Sequence, residues 1–443
     1  MQTRFLMKKD YYVKQLTAAD LPPAVRPFWT NIEGTLTQKL AVTLAAIVCY
    51  CGLAPRLRVK YVYDHFLSML LLNLLCVGHS GSGKSLVRWV VNLLMQGQIL
   101  RDREERSILR DCKDENHCRG GNQRKDHEPL VVIRFLQKFT LPVVTKYADF
   151  AYRRYKDWLP FFLFSDEMST FTENRRNQGD FQAVARSAFS LGETYSRDTL
   201  YDGGYNCMVD INWCSVICGQ EQSLARYIDK QGVVLGDASR QILVKGDDSL
   251  GEEAPIIRPF DEQQERDING TVGRLMAETY TDDDQLMPTH EVDMHWLDRD
   301  VRQWCNQQRE IILKTGSRAH DSFYVRASVS AFRIATILYH LWGEKESRHR
   351  EVRRCYWYFA QYILDGQMAQ WGQQYEAAMP RERECVKEKP TLFDVIPKRF
   401  TRDMLRETIV KEELSAPARV FIHKWLSKKW ICEVEENVYE KLY

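Results

Sequence analysis

The chain has 443 residues, 44% of them hydrophobic and 28% charged, with a formal net charge of +2. That length exceeds one ordinary core and predicts about two to four domains of a soluble globular protein. The near-neutral balance excludes a field strong enough to name a nucleic-acid partner, so any DNA-binding surface must be a local patch.

Residues 1–62 predict a mainly helical N-terminal region, with Pro22, Pro23 and Pro27 breaking its first half and Leu40 to Leu53 forming a buried helix. The apolar stretches at 40–54 and 66–77 are too short to span a bilayer comfortably, so no membrane is expected. The twelve cysteines are scattered, several of them (Cys49, Cys76, Cys214, Cys218) in apolar surroundings. That usage reads as reduced thiols of a cytoplasmic protein. Cys112, His117 and Cys118 lack a second ligand pair at a usable spacing, which argues against zinc there.

Residues 63–260 alternate strand and helix patterns, which predicts a parallel sheet covered by helices on both faces. The apolar run Leu70 to Val77 leads into Gly78-His79-Ser80-Gly81-Ser82-Gly83-Lys84-Ser85, and helical apolar spacing follows from Leu86 to Met95. Strand, G-x-x-x-x-G-K-S loop and helix form the setting of a phosphate cradle. Its glycines let backbone N–H groups converge on phosphate oxygens, and the helix N-terminus adds partial positive charge. Lys84 is expected on the β- and γ-phosphates of ATP and Ser85 on Mg²⁺.

The charge-dense stretch 101–128 reads as a solvated insertion or mobile loop. A strand at Leu130 to Ile133 and a helix through Tyr147, Phe150 and Tyr155 come next. The run Phe161 to Ser165 closes on Asp166-Glu167. There Asp166 suits the metal shell and Glu167 the polarisation of attacking water. Asp202-Gly203-Gly204, between Asp198–Tyr201 and Tyr205–Met208, marks a hairpin. Tyr201 and Tyr205 offer stacking faces to nucleic acid, but its tip lacks lysine, so a structural hairpin stands equally open. A third strand, Ile211 to Cys218, ends at Gly219-Gln220. Gln220 is either a sensor of the γ-phosphate or a solvent-facing loop residue. Arg240, with Arg186, Arg197 and Arg226 as rivals, is the candidate finger for a neighbouring subunit's site.

From 261 to 385 helical periodicity dominates, as a lid would require. Arg326 and Arg333 share one face of a helix there, and could reach nucleotide from a lid or pair with core-edge carboxylates. Residues 386–443 predict helix, helix and hairpin, a winged-helix-like module whose second helix carries Arg419, Lys424, Lys428 and Lys429. A DNA reader and a small packing appendage both fit.

These pieces resemble the P-loop ATPase domains of mobile genetic elements associated with primases, similar to superfamily 3 helicases within the AAA+ group. The resemblance spans roughly residues 20–375 and rests on Gly78 to Ser85, Asp166-Glu167, the strand ending at Gln220, Gly236 to Arg240 and the helix bearing Arg326 and Arg333. It implies an AAA+/RecA-like fold, ATP hydrolysis with Mg²⁺, a homo-oligomeric ring and work on DNA, with a primase or other replication protein as possible partner. The chain itself carries no primase domain. An ATP-gated switch or scaffold without translocation is the first alternative. A small-molecule phosphoryl transferase is the second, disfavoured by the Asp-Glu pair.

Overall fold

The computed structural model describes residues 16–64, 66–79, 82–118, 135–136, 141–171, 181–189, 194–197, 207–246, 255–281, 285–379, 392–411, 416–427 and 430–442. They form two compact units, Met1–Met379 and Pro380–Tyr443. The expected N-terminal, core and lid segments thus share one unit, around a single buried cluster running from Leu16 to Tyr375.

That unit is mixed α/β. After α1 (Leu36–Leu53) and β1 (Leu57–Lys60) come β2 (Asn73–Val77), α2 (Lys84–Leu94), α3 (Gln96–His117), β3 (Phe135–Leu136), α4 (Leu141–Tyr155) and β4 (Phe161–Ser165). Then follow β5 (Thr194–Arg197), β6 (Cys207–Asp210), β7 (Trp213–Gly219), α5 (Glu221–Tyr227) and β8 (Ile242–Lys245). The central sheet has the order β8-β2-β7-β4, all parallel, and the two-residue β3 extends it beyond β4. Every residue of β2, β4 and β7 is buried. Since successive side chains point to opposite faces, both faces of the sheet are covered. This is why the runs are apolar throughout instead of alternating.

α1 is long and apolar enough to cross a membrane by composition, but 78% of that window is buried within the protein. It packs across β2 and β7, and its start is a capping box in which Thr35 Oγ1 accepts from Gln38 N. Gly52 lies so close to Phe162 that a Cβ would stand 2.5 Å from the ring.

The stretch expected to be a loop from 101 is instead helical through His117. Its exposed face lacks an apolar stripe, but Glu, Arg, Lys and Leu are strong helix formers and pairs such as Asp102–Arg106 lie four apart. The strand expected at Leu130 to Ile133 and the hairpin tip with Tyr201 and Tyr205 lie outside the described residues. The strands flanking that tip do pair antiparallel, Thr194 opposite Asp210 through Arg197 opposite Cys207.

The remainder of this unit comprises α6 (Glu262–Ala277), β9 (His290–Glu291), α7 (Asp298–Thr315), α8 (Arg318–Leu341) and α9 (His349–Ala378). α8 and α9 pack against one another, and α9 also packs against β8. β9 adds to β1 in parallel, His290 opposite Leu57.

The second unit has its own core of residues including Phe400, Leu405, Ile422, Trp425 and Tyr439. Its order is α10 (Leu392–Val395), β10 (Arg399–Thr401), α11 (Arg402–Lys411), α12 (Ala418–Ser427), β11 (Ile431–Glu435) and β12 (Val438–Lys441). The sheet order is β10-β12-β11, antiparallel. Thr401 Oγ1 caps α11 by accepting from Met404 N at 3.2 Å. Arg419 and Lys424 are exposed on α12, while Lys428 and Lys429 lie outside the described residues.

Candidate functional site

β2, β7 and β8 finish level with one another, Val77 opposite both Gly219 and Lys245. Ser165 of β4 sits opposite Ile217, two residues short of the β7 tip, so Asp166 and Glu167 emerge where β7 ends. This common C-terminal edge is where parallel α/β sheets bind ligands. Two backbone bonds stitch it: Gly78 N donates to Gly219 O at 3.1 Å and Gly246 N to Val77 O at 2.7 Å.

Gly78 has no room for a side chain, because a Cβ there would lie 2.4 Å from Ser82 Oγ. Gly83 has φ +86° and forms the left-handed N-cap of α2, a conformation glycine adopts at no steric cost. Lys84 is the first residue of α2, and its Nζ donates to the carbonyls of Gly78 and, at 2.9 Å, His79. The ammonium therefore lies over its own loop. Ser85 is exposed in the first helical turn, and Ser80 and Gly81 lie outside the described residues.

An open hollow lies beside this loop, lined by Thr37, Gln38, Val77, Lys84, Val87 and Gly246 among others. Gln38 serves two structures at once: its Oε1 accepts from Thr35 N at 2.9 Å, and its Nε2 lies 3.5 Å from Ser82 O.

Asp166 and Glu167 are both exposed. Asp166 forms an ion pair with Arg88. Arg88 is three residues beyond Ser85 on α2, so the pair brings the Asp166 carboxylate to the helix face that carries Ser85. The turn holding the acidic pair is set by Ser165, whose Oγ donates to Glu167 O at 2.9 Å. An exposed hydroxyl and an exposed carboxylate are hard oxygen donors, the kind that suit Mg²⁺.

Gln220 is exposed and stands at the N-cap position of α5 at the β7 tip, with no side-chain capping bond. Next to it Glu221 pairs with Lys245. The hydrogen bond and charge of Lys245 hold the Glu221 carboxyl below its ordinary range, and His79 adds to this. Lys245, Glu221 and Arg88 escape sequence reasoning. Arg88 had a signal in its helical spacing from Ser85, whereas Lys245 depends on a strand pairing far along the chain.

The arginines divide. Arg240 is half-buried and its Nη1 donates to Gly236 O at 2.9 Å within its own loop. Arg186 is salt-bridged to Asp237 at 2.9 Å, and burial pushes that carboxyl up despite the arginine. Arg226 is exposed on α5, and Arg197 ends β5 opposite Cys207. Arg333 is buried: its Nη1 donates to Leu71 O at 2.8 Å and Phe189 O at 3.1 Å, with Cζ 4.4 Å from the Phe189 ring. Burial and the neighbouring Arg326 lower its pKa to about 10. It braces α8 against the segment leading into β2 through backbone carbonyls, where a core-edge carboxylate was the expected alternative partner. Arg326 is half-buried, 5.9 Å from the same ring. No protein-family model matches the chain, and a search of curated proteins finds no match.

Proposed function

We propose that this protein is a P-loop nucleotide hydrolase of AAA+ type, binding ATP with Mg²⁺ and acting as a helicase-like motor on DNA in replication or transfer of a mobile genetic element. One observation carries the reading: the glycine loop after β2 and the Asp166-Glu167 pair after β4 emerge at one edge of a parallel sheet. The Arg88–Asp166 ion pair joins their two elements. β7 lies between the two strands and places Gln220 between loop and carboxylates.

Lys84 would leave the loop carbonyls for the β- and γ-phosphates, and the loop N–H groups would hold the same oxygens. Ser85 and Asp166 would hold the metal ion, which when bound offsets charge on the transferring phosphoryl group. Asp166 must exchange Arg88 for that role. Glu167, exposed beside it, would take the proton of the attacking water as oxygen bonds to the γ-phosphorus and ADP departs. A homo-oligomeric ring, DNA as track and a primase or other replication protein as partner rest on the resemblance. The exposed Arg419 and Lys424 on α12 support a DNA-contacting second unit of winged-helix type.

A second reading, an ATP-gated switch or scaffold, is favoured by Arg240, whose contact with Gly236 occupies the guanidinium within its own chain. Phosphate release measured with and without single-stranded DNA separates the two. A motor shows DNA-stimulated turnover, abolished in Glu167→Gln while nucleotide binding persists. Turnover indifferent to DNA at every length and salt concentration sinks the motor reading and leaves the switch.

A further inference from the structure

Far along the chain from the phosphate loop, three elements bring ligating side chains together. His290 stands on β9, His340 in the last turn of α8, and Glu344 just beyond that helix. Their donor atoms all lie within 4.8 Å of one another, the one such group among the described residues. Glu344 Oε1 is 2.6 Å from His290 Nε2 and 2.8 Å from His340 Nδ1.

Two further features go beyond a chance polar contact. The other nitrogen of His340, Nε2, is 2.8 Å from Glu278 Oε2, and Glu278 is held in turn by Arg274 at 3.0 Å. A ligating histidine whose second nitrogen donates to a carboxylate is the arrangement that fixes ring orientation and raises ligand basicity in metal sites. Moreover, Glu344 has φ +55° directly after Gly343 at φ +74°. A left-handed glutamate costs about 1–2 kcal/mol against the glycine or asparagine usual at such a helix end. Its backbone is locked there by Glu344 N to Tyr339 O at 3.0 Å and Tyr339 OH to Glu344 O at 2.8 Å. The strained residue is the one whose carboxylate meets both imidazoles.

We infer that His290 Nε2, His340 Nδ1 and Glu344 Oε1 form a binding site for a transition-type divalent cation, Zn²⁺ by its chemistry, with Glu278 as the outer carboxylate. Two imidazoles and one carboxylate are borderline N/O donors that suit Zn²⁺ over Mg²⁺ or Ca²⁺. In a tetrahedral site with bonds of about 2.0–2.2 Å, donors stand about 3.3–3.5 Å apart. The two carboxylate–imidazole pairs, at 2.6 and 2.8 Å, reach that spacing by opening less than an ångström, and the two imidazole nitrogens already stand within 4.8 Å of each other. His340 is 7% exposed, whereas His290 is 52% exposed, so the fourth position faces solvent. The ion would clasp the end of α8 to β9, with α6 held through Glu278. It is separate from the nucleotide site and makes no demand on it.

The test is a Co²⁺ titration of full-length protein stripped with chelator, followed by Zn²⁺ competition. The expected result is one equivalent of Co²⁺ with a d–d spectrum free of sulfur-to-metal charge transfer, displaced by Zn²⁺. Affinity should fall more than tenfold in His290→Ala and in Glu344→Gln. Glu278→Gln, which removes no ligand, should weaken binding by about 10–100-fold. Because His290 is half exposed, its alanine variant is expected to keep the wild-type circular dichroism. Absence of saturable binding, a thiolate band, or a stoichiometric site unchanged in both ligand variants overturns the assignment.

Discussion

Replacing Arg333 by methionine tests how the sheet is anchored to the helices behind it. Holding the guanidinium charged in its buried place costs roughly 3 kcal/mol, since its pKa falls from 12.5 to about 10 at 1.36 kcal/mol per unit. Two charge-assisted hydrogen bonds, to Leu71 O and Phe189 O, return about 1.5–3 kcal/mol each. Stacking on Phe189 adds on the order of 1 kcal/mol. Methionine recovers the desolvation cost and fills similar volume, but leaves both carbonyls without their donor. The balance is a destabilisation of about 1–4 kcal/mol. Urea unfolding read by tryptophan fluorescence measures it, with the step of the larger unit fitted apart from that of Pro380–Tyr443. An unchanged midpoint and slope would refute the reasoning, because the brace would then be energetically neutral. Leu71 precedes β2 by only two residues, so nucleotide affinity should weaken alongside stability.

Other substitutions bear on the loop and its surroundings. Glu167→Gln should lower turnover by about 10²–10⁴-fold with little change in binding of a fluorescent ATP analogue; equal loss of binding would assign Glu167 to the cradle itself. Arg88→Ala removes a surface ion pair, so the melting midpoint should shift by less than about 1 kcal/mol equivalent. Its Mg²⁺ requirement for nucleotide binding should fall, and an unaltered Mg²⁺ titration would separate the pair from the metal. Gly83→Ala should cost about 1–2 kcal/mol from the positive φ alone, and its Cβ would also press on Pro255 Cγ at 3.0 Å. Since Lys245 depresses the Glu221 carboxyl, this pair stabilises the fold fully above the unfolded glutamate pKa of about 4.3 and loses that contribution as pH falls through the lower folded value. Both groups are largely exposed, so the effect should stay below about 1 kcal/mol, and Lys245→Ala should abolish it in pH-dependent melts.

What could be seen in the amino-acid order follows from where the information is local. β2 and β4 were legible because strands buried on both faces are continuous apolar runs ending in glycine or carboxylate. α3 was not, because a solvated helix shows charge and no stripe. Arg333 left two readings open because its partners Leu71 and Phe189 are 262 and 144 residues away. A separation of 50 residues hid His290 from His340, although His340 and Glu344, four apart at a helix end, carried half of the signal. Arg88 was within reach of helical geometry, but only the position of β4 shows what it faces.

The double duty of Gln38 has a dynamic consequence. One amide both closes the first turn of α1 and lies against the carbonyl of Ser82 in the glycine loop after β2. Fraying at the start of this buried core helix is thereby tied to the conformation of the loop, and the helix start becomes a reporter of occupancy. Slower amide exchange at Gln38 and Lys39 on adding nucleotide, with the middle of α1 unchanged, would register a ligand without any label on it.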